Sequence, residues 1–141
     1  MPFRKGKGVA VMTTAEVQVE YKFGAGRYWQ MPNALDLVGT EAKRLGTKAC
    51  VVGGETALSL TRERLSSGFD AAEMPWVEER FSGPVSAAKA ATLAALAAAK
   101  GCDVIVGVGG GRALDLAKAA AALRGAPVVT VPASAATCAA Y

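Results

Sequence analysis

Three consecutive glycines stand between a buried strand and a helix in this chain, and no other feature constrains the fold as much. The apolar, β-branched run over residues 104–108 predicts a strand covered on both faces of a parallel sheet. Gly109, Gly110 and Gly111 follow at once, and residues 112–123 carry apolar side chains at helical spacing. Backbone N–H groups at a helix start are unpaired, and glycines leave them accessible to a phosphate. The pattern predicts a diphosphate-binding turn, although a tight turn that allows close helix packing explains the same glycines.

Neither common phosphate-binding fingerprint is complete. Gly107 and Gly109 are followed by Arg112 where the third glycine of the dinucleotide fingerprint would stand, and there is no Walker loop. Asp115 and Lys118 lie three residues apart and therefore share one helix face. Asp115 is a candidate ligand contact one turn inside the helix, or else one half of a surface ion pair with Lys118.

Strands and helices alternate along the rest of the chain. Strands are predicted over residues 17–23, 27–29, 47–52, 76–81 and 127–131, and helices over residues 34–45, 57–67 and about 85–100. Asn33 is the predicted cap of the first helix, and Thr56 is that of the second. Together these elements predict an α/β fold, a Rossmann-like doubly wound parallel sheet in which ligands bind at the carboxyl ends of the strands.

Composition and charge set limits on function. Residues 1–15 include Arg4, Lys5 and Lys7 and are predicted to form a basic, frayed arm, whereas residues 16–141 form the α/β domain. No aromatic platform accompanies the basic arm, so we expect no nucleic-acid partner. No apolar stretch is long enough for a membrane span, and three cysteines without a Cys-x-x-Cys pair indicate reduced thiols and a cytoplasmic location. The chain has no histidine, which excludes His-based catalysis and His-ligated metal within it.

Two segments resemble the iron-containing alcohol dehydrogenase and glycerol dehydrogenase superfamily, which also includes dehydroquinate synthase and glycerol-1-phosphate dehydrogenase. They are Gly-Gly-Gly-Arg-Ala-Leu-Asp-Leu-Ala-Lys over residues 109–118 and Val-Pro-Ala-Ser-Ala-Ala-Thr-Cys over residues 131–138. The resemblance implies the N-terminal, nucleotide-binding half of such an enzyme. It places the pyrophosphate of NAD(P) on the glycine triplet, Asp115 toward the nicotinamide and Thr137 as a donor to the diphosphate or ribose. In the family one Asp and two His bind iron or zinc in a helical C-terminal half, which we expect to be absent from this chain.

Departures from the family pattern bear on cofactor and substrate. An Asp that goes with NAD in the family is matched here by Gly54, which favours NADP, although the neighbouring Glu55 can take the acidic role. Ala133 stands where many relatives have a cofactor-binding Thr, unless Ser134 replaces it. Cys138 stands where glycerol dehydrogenases carry a substrate-binding Asp, and the surrounding residues look like those of hydroxycarboxylate dehydrogenases, which reduce 2-oxo acids with NADPH. Cys138 is therefore expected near the substrate, with no base at hand to make it a nucleophile.

The expected function is cofactor binding within a metal-dependent dehydrogenase that transfers hydride between NAD(P) and a small alcohol, polyol or 2-hydroxy or 2-oxo acid. Alone, residues 1–141 are expected to bind nucleotide without turnover, and the apolar face that a second domain would cover favours self-association. Two alternatives stay open, a stand-alone nucleotide-binding module and a synthase of the dehydroquinate type.

Overall fold

The computed structural model describes residues 8–12, 19–21, 27–30 and 33–132. Its strands are β1 Gly8–Met12, β2 Val19–Tyr21, β3 Arg27–Gln30, β4 Ala49–Gly53, β5 Trp76–Arg80, β6 Val104–Gly109 and β7 Val128–Pro132. Its helices are α1 Val38–Leu45, α2 Glu55–Ala71, α3 Ala87–Ala99 and α4 Gly111–Arg124, and a 3-10 turn, Ala34–Leu37, precedes α1.

Within these ranges all the strands join one sheet in the order β2-β3-β1-β7-β6-β4-β5. Every neighbouring pair is parallel except β2 and β3, which are antiparallel at one edge. Parallel neighbours require crossover connections. Among the last four strands these are helices, because α2 connects β4 to β5, α3 connects β5 to β6 and α4 connects β6 to β7. The expected doubly wound, Rossmann-like α/β fold is confirmed.

Helices cover both faces of the sheet in two apolar layers. On one face Val38 of α1 and Leu58 and Phe69 of α2 pack against Val51, Val106 and Val131 of the strands. On the other face the alanine-rich α3 and α4 pack against Cys50, Val52 and Ile105. The strands β4 and β6 are buried along their whole length, as expected for continuous apolar runs in a parallel sheet.

The amino-terminal prediction needs correction, because residues 8–12 do not belong to a frayed arm. Gly8–Met12 form β1, which pairs in parallel with β3 on one side and with β7 on the other. The charge of the neighbouring residues dominated the sequence pattern, whereas pairing with two strands distant in the chain places this segment inside the sheet. In the part of the chain that the structure describes, no helix is both long and apolar enough to cross a membrane.

Candidate nucleotide-binding cleft

The chain separates to opposite faces of the sheet at the carboxyl ends of β4 and β6. These strands are neighbours, with Gly53 opposite Val108. The helix that follows β4 packs on one face, and the helix that follows β6 packs on the other. In open α/β sheets such a divergence leaves a crevice beyond the strand ends, which is where ligands bind.

The glycine turn, Gly109 to Gly111, forms one wall of this crevice. Gly109 has φ +134°, which side chains rarely adopt, and a Cβ there would lie 3.3 Å from the Cβ atoms of Ala113 and Ala57. Gly110 precedes the first helical residue, and a Cβ there would meet nothing within 4 Å. The backbone conformation at position 109 therefore requires a glycine, whereas the glycine at position 110 leaves open space at the helix start.

The amino end of α2 forms the opposite wall of the cleft, and it has open space at its glycine as the start of α4 does. Gly54 precedes the helix with no side-chain cap, and a Cβ there would meet nothing within 4 Å. Thr56 was expected to cap this helix, which is wrong, because the helix already begins at Glu55. The first helical hydrogen bond runs from Leu58 N–H to Gly54 O at 3.1 Å, and its counterpart in α4 runs from Leu114 N–H to Gly110 O at 3.1 Å. The three N–H groups before each donor have no acceptor within their helix.

The two helix starts and the loop after β5 enclose a cleft of about 520 Å³. Its lining comes from three segments that follow three neighbouring parallel strands: residues 54–57 after β4, residues 81–83 after β5 and residues 109–113 after β6. Two positive helix-dipole ends point into a single space, so the cleft favours an anionic ligand.

Charged side chains at the cleft carry both signs. Arg112 is exposed on the first turn of α4, where the helix dipole disfavours a cation. Glu55 is exposed on the first turn of α2, and its carboxylate accepts a hydrogen bond from Arg80. Lys89 of α3 donates to the carbonyl oxygen of Ser82 and lies over the ring of Phe81, 5.8 Å from its centroid.

The structure brings together four of the residues singled out from sequence. Gly54 and the glycine turn face each other across the cleft. Asp115 is exposed one turn further along α4 and is not among the residues that line the cleft. Thr137 and Cys138 lie outside the described residues, as do Ala133 and Ser134.

Sequence reasoning missed the contribution of Arg112 and of residues 81–83. Arg112 carried a signal, because a cation on the first turn of a helix is unfavourable unless an anion lies nearby. Residues 81–83 carried no comparable signal, since Phe-Ser-Gly is an ordinary turn sequence. Only the position of β5 next to β4 brings this loop to the cleft.

Metal chemistry has no support from the residues present. The chain contains no histidine. Within the described ranges no group of three or more Cys, Asp or Glu side chains is arranged to hold a metal ion. The described residues therefore provide no set of ligands for a metal ion.

The family model for iron-containing alcohol dehydrogenase matches residues 25–141. A glycerol dehydrogenase of Citrobacter freundii is 34% identical over 111 residues, which are 79% of this chain and 30% of that protein. Hydroxycarboxylate dehydrogenase A of Escherichia coli K12 is 58% identical over 48 residues, which are 33% of this chain and 13% of that protein.

A solved structure gives the same relationship. The crystal structure of a probable glycerol dehydrogenase from Sinorhizobium meliloti 1021 superposes with a TM-score of 0.66 at 25% identity, over 93% of this chain and 30% of that one. The chain thus spans about 30% of the length of the relatives that it matches over most of its own length.

Proposed function

This chain belongs to the iron-containing alcohol dehydrogenase family, and on that premise we propose that its cleft binds a nicotinamide dinucleotide. The observation that carries the proposal is the pair of uncapped helix starts, α2 and α4, that open into one cleft at the carboxyl ends of adjacent strands. A dinucleotide diphosphate is a dianion that accepts hydrogen bonds from backbone N–H groups, and such helix starts supply them.

Each residue then has a defined task. The N–H groups of Gly111, Arg112 and Ala113 donate to the diphosphate, and the guanidinium of Arg112 neutralises part of its charge. Gly110 lets the phosphates approach the backbone. Gly54 lies beside the adenosine ribose, where the lack of a carboxylate leaves room for a 2′-phosphate, so we propose NADP as the preferred cofactor.

Three further residues belong to the nicotinamide end of the proposal. Asp115 lies on the helix that starts at the diphosphate and is directed toward the nicotinamide side. Thr137 donates to the diphosphate or ribose, and Cys138 lies near the substrate. The family resemblance supports these roles, and for Thr137 and Cys138 it is their whole support.

The reaction proposed for the complete enzyme is reversible hydride transfer. A hydroxyl-bearing carbon loses a hydride to the nicotinamide ring and its hydroxyl loses a proton, which yields a carbonyl compound and NAD(P)H. Cys138 in place of the carboxylate of glycerol dehydrogenases, together with the local similarity to hydroxycarboxylate dehydrogenase A, favours a 2-oxo acid as the carbonyl substrate. The metal that family members use would have its ligands outside this chain's described residues.

We propose that residues 1–141 by themselves bind cofactor without turnover. The absence of histidine leaves the chain without the family's His metal ligands, and the same absence favours a stand-alone nucleotide-binding module as the second candidate function. The partners that we propose for the chain are the dinucleotide, a small-molecule substrate and a second copy of the chain. A cytoplasmic location remains part of the proposal.

Calorimetric titration with NADPH and with NADH tests the binding role. We expect micromolar binding of NADPH by the wild-type chain and loss of binding in Gly110→Val. The fold tolerates that change, since a Cβ at Gly110 meets nothing within 4 Å. Ala95→Val, an exposed position on α3, is the matched control for added bulk. If neither cofactor bound to a chain that circular dichroism showed to be folded, the cleft would not be a dinucleotide site.

A further inference from the structure

The proposed function leaves Arg80 without a task. Arg80 does not itself line the cleft, but it donates a hydrogen bond to Glu55, which does. Arg80 ends β5 and lies directly opposite Gly53, the last residue of β4. Gly54, the residue that follows β4, lines the cleft beside the proposed adenosine ribose. Arg80 is thus the last residue of the strand that pairs with β4, next to the proposed ribose position.

The guanidinium of Arg80 donates hydrogen bonds to two carboxylates. Its Nε donates to Glu78 Oε2 at 3.1 Å, and its Nη1 donates to Glu55 Oε1. Glu78 is also held by Arg62, whose Nε and Nη2 donate to its two oxygens at 3.0 and 2.7 Å. Hydrogen bonding from Arg62 keeps the pKa of Glu78 below its ordinary value against the opposing effect of burial, so Glu78 remains an ionised partner.

The two carboxylates differ in how easily a ligand can displace them. The Glu78 side chain is 20% exposed and is held by two arginines, whereas the Glu55 side chain is 69% exposed. Glu55 also accepts a 3.4 Å hydrogen bond from the Ser59 hydroxyl within its own helix. Of the two, Glu55 alone lines the cleft. An anion that enters the cleft near Gly54 therefore competes with Glu55 for Arg80.

The nature of the competing anion follows from the guanidinium. A ribose diol donates hydrogen bonds and needs a carboxylate acceptor, whereas a ribose 2′-phosphate needs a cation. Arginine presents a planar set of donors that matches phosphate oxygens, and charge-assisted bonds of this kind are stronger than neutral ones. Glu55 is already engaged by Arg80, which makes it a poorer acceptor for the diol hydroxyls.

We propose that Arg80 recognises the 2′-phosphate of NADP, and that Glu55 holds the guanidinium in the free protein until the phosphate displaces it. This inference rests on the proposed function of the cleft as a dinucleotide site. In this proposal Arg80 determines the specificity for NADP, and Glu55 competes with the 2′-phosphate for the Arg80 guanidinium.

The test compares NADPH and NADH binding by calorimetry in four chains: wild type, Arg80→Gln, Glu55→Gln and Arg62→Gln. We expect Arg80→Gln to weaken NADPH binding by about tenfold or more and to change NADH binding by less than about twofold. Glu55→Gln removes the competitor and should tighten NADPH binding severalfold. Arg62→Gln is the matched control, because Arg62 has the same charge and shares Glu78 with Arg80, and it should leave both affinities near wild type.

The outcomes separate this inference from the function on which it rests. If the folded wild-type chain bound neither cofactor, the dinucleotide site and the role of Arg80 would both be wrong. If Gly110→Val abolished binding while Arg80→Gln weakened both cofactors equally or neither, the site would stand and the role of Arg80 would be overturned. A selective loss of NADH affinity in Glu55→Gln would make Glu55 the ribose ligand instead and would also overturn the proposal.

Discussion

Gly107 of β6 and Ala117 of α4 are in such close contact that a Cβ at position 107 would lie 2.6 Å from the Cβ of Ala117. The contact sets how near α4 approaches the strand that precedes it. The start of α4 forms one wall of the cleft, so close packing at Gly107 helps to hold the glycine turn in place.

The first prediction follows from that contact. Gly107→Ala should lower the free energy of unfolding by about 1–3 kcal/mol, because the added methyl overpacks the strand–helix interface. Urea denaturation followed by circular dichroism measures the change. Gly110→Ala adds the same methyl in open space and should stay within about 0.5 kcal/mol of wild type. Equal losses in the two variants would show that close packing at Gly107 does not contribute to stability.

The second prediction concerns Gly54 and cofactor choice. Gly54→Asp should weaken NADPH binding by tenfold or more and improve NADH binding, because the new carboxylate repels the 2′-phosphate and accepts from the ribose hydroxyls. Its oxygen can also cap α2, which should add a few tenths of a kcal/mol to stability. Gly54→Asn is the matched control, since it caps the helix without a charge. Identical cofactor preferences in both variants would contradict the electrostatic argument.

A third prediction tests the cation on the first turn of α4. Arg112→Ala should weaken the binding of NADPH and of NADH equally, by about threefold to tenfold. The substitution removes a positive charge near the proposed position of the diphosphate, which both cofactors contain. Stability should rise slightly, by about 0.3 kcal/mol or more, since the helix dipole disfavours a cation there. Arg64→Ala removes the same charge from an exposed α2 position that pairs with Asp36. Calorimetric titration of both variants distinguishes two explanations. A loss of affinity in Arg112→Ala alone indicates a local contact with the cofactor, whereas equal losses in both variants indicate a general effect of net charge.

The fourth prediction links Asp103 to acid stability. Asp103 Oδ1 accepts from the N–H groups of Thr47 and Lys48 at 2.8 and 2.9 Å, and Oδ2 accepts from the Thr47 hydroxyl at 2.9 Å. Burial raises the pKa of Asp103, but these donors outweigh it, and the pKa lies below the ordinary value of 3.8. A carboxyl whose pKa is lowered by folding stabilises the fold at pH values above its ordinary pKa. This stabilisation is lost as the pH falls from the ordinary pKa to the lower pKa of the folded state.

Asp103→Ala should therefore cost about 1–3 kcal/mol at pH 7. The difference in unfolding free energy between Asp103→Ala and wild type should shrink below pH 3.8, which is the ordinary pKa of this carboxyl. Urea unfolding at several pH values measures both effects. Asp70→Ala, at an exposed position near the end of α2, provides the control. A difference that did not change with pH would rule out the ionised carboxylate as the source of the stability.

The fifth prediction concerns the buried thiols of Cys50 and Cys102. Burial raises the pKa of Cys50 to about 12 and also raises that of Cys102. In a Cys138→Ser chain, a thiol reagent at pH 8 should therefore react only on the timescale of unfolding, because the reactive thiolate is scarce and inaccessible. Absorbance of the released chromophore follows the reaction, and denaturant should expose both thiols. Rapid labelling of the folded chain would contradict their burial.

Sequence predicted the features whose cause is local. Apolar runs of the right length predicted β4, β6 and β7, and the glycines after β6 predicted the turn at the start of α4. Errors arose where a distant contact decides the outcome. Asn33 was expected to cap the first helix, yet it has φ +63° and its side chain makes no cap hydrogen bond. The side-chain oxygen of Asn33 instead accepts a hydrogen bond from Arg64 of α2 at 2.8 Å.

The sequence by itself therefore determined the fold class and the glycine turn, because hydrophobic periodicity and the absence of Cβ atoms act within a few residues. Only the tertiary structure decided which residues lie across the cleft from the glycine turn. Strand order places residues 54–57 and 81–83 beside it. The same order brings Arg80 to Glu55, a pairing between residues 25 positions apart. Gly8–Met12 join the sheet for the same reason, because backbone pairing with two distant strands depends on topology and not on the character of the segment itself.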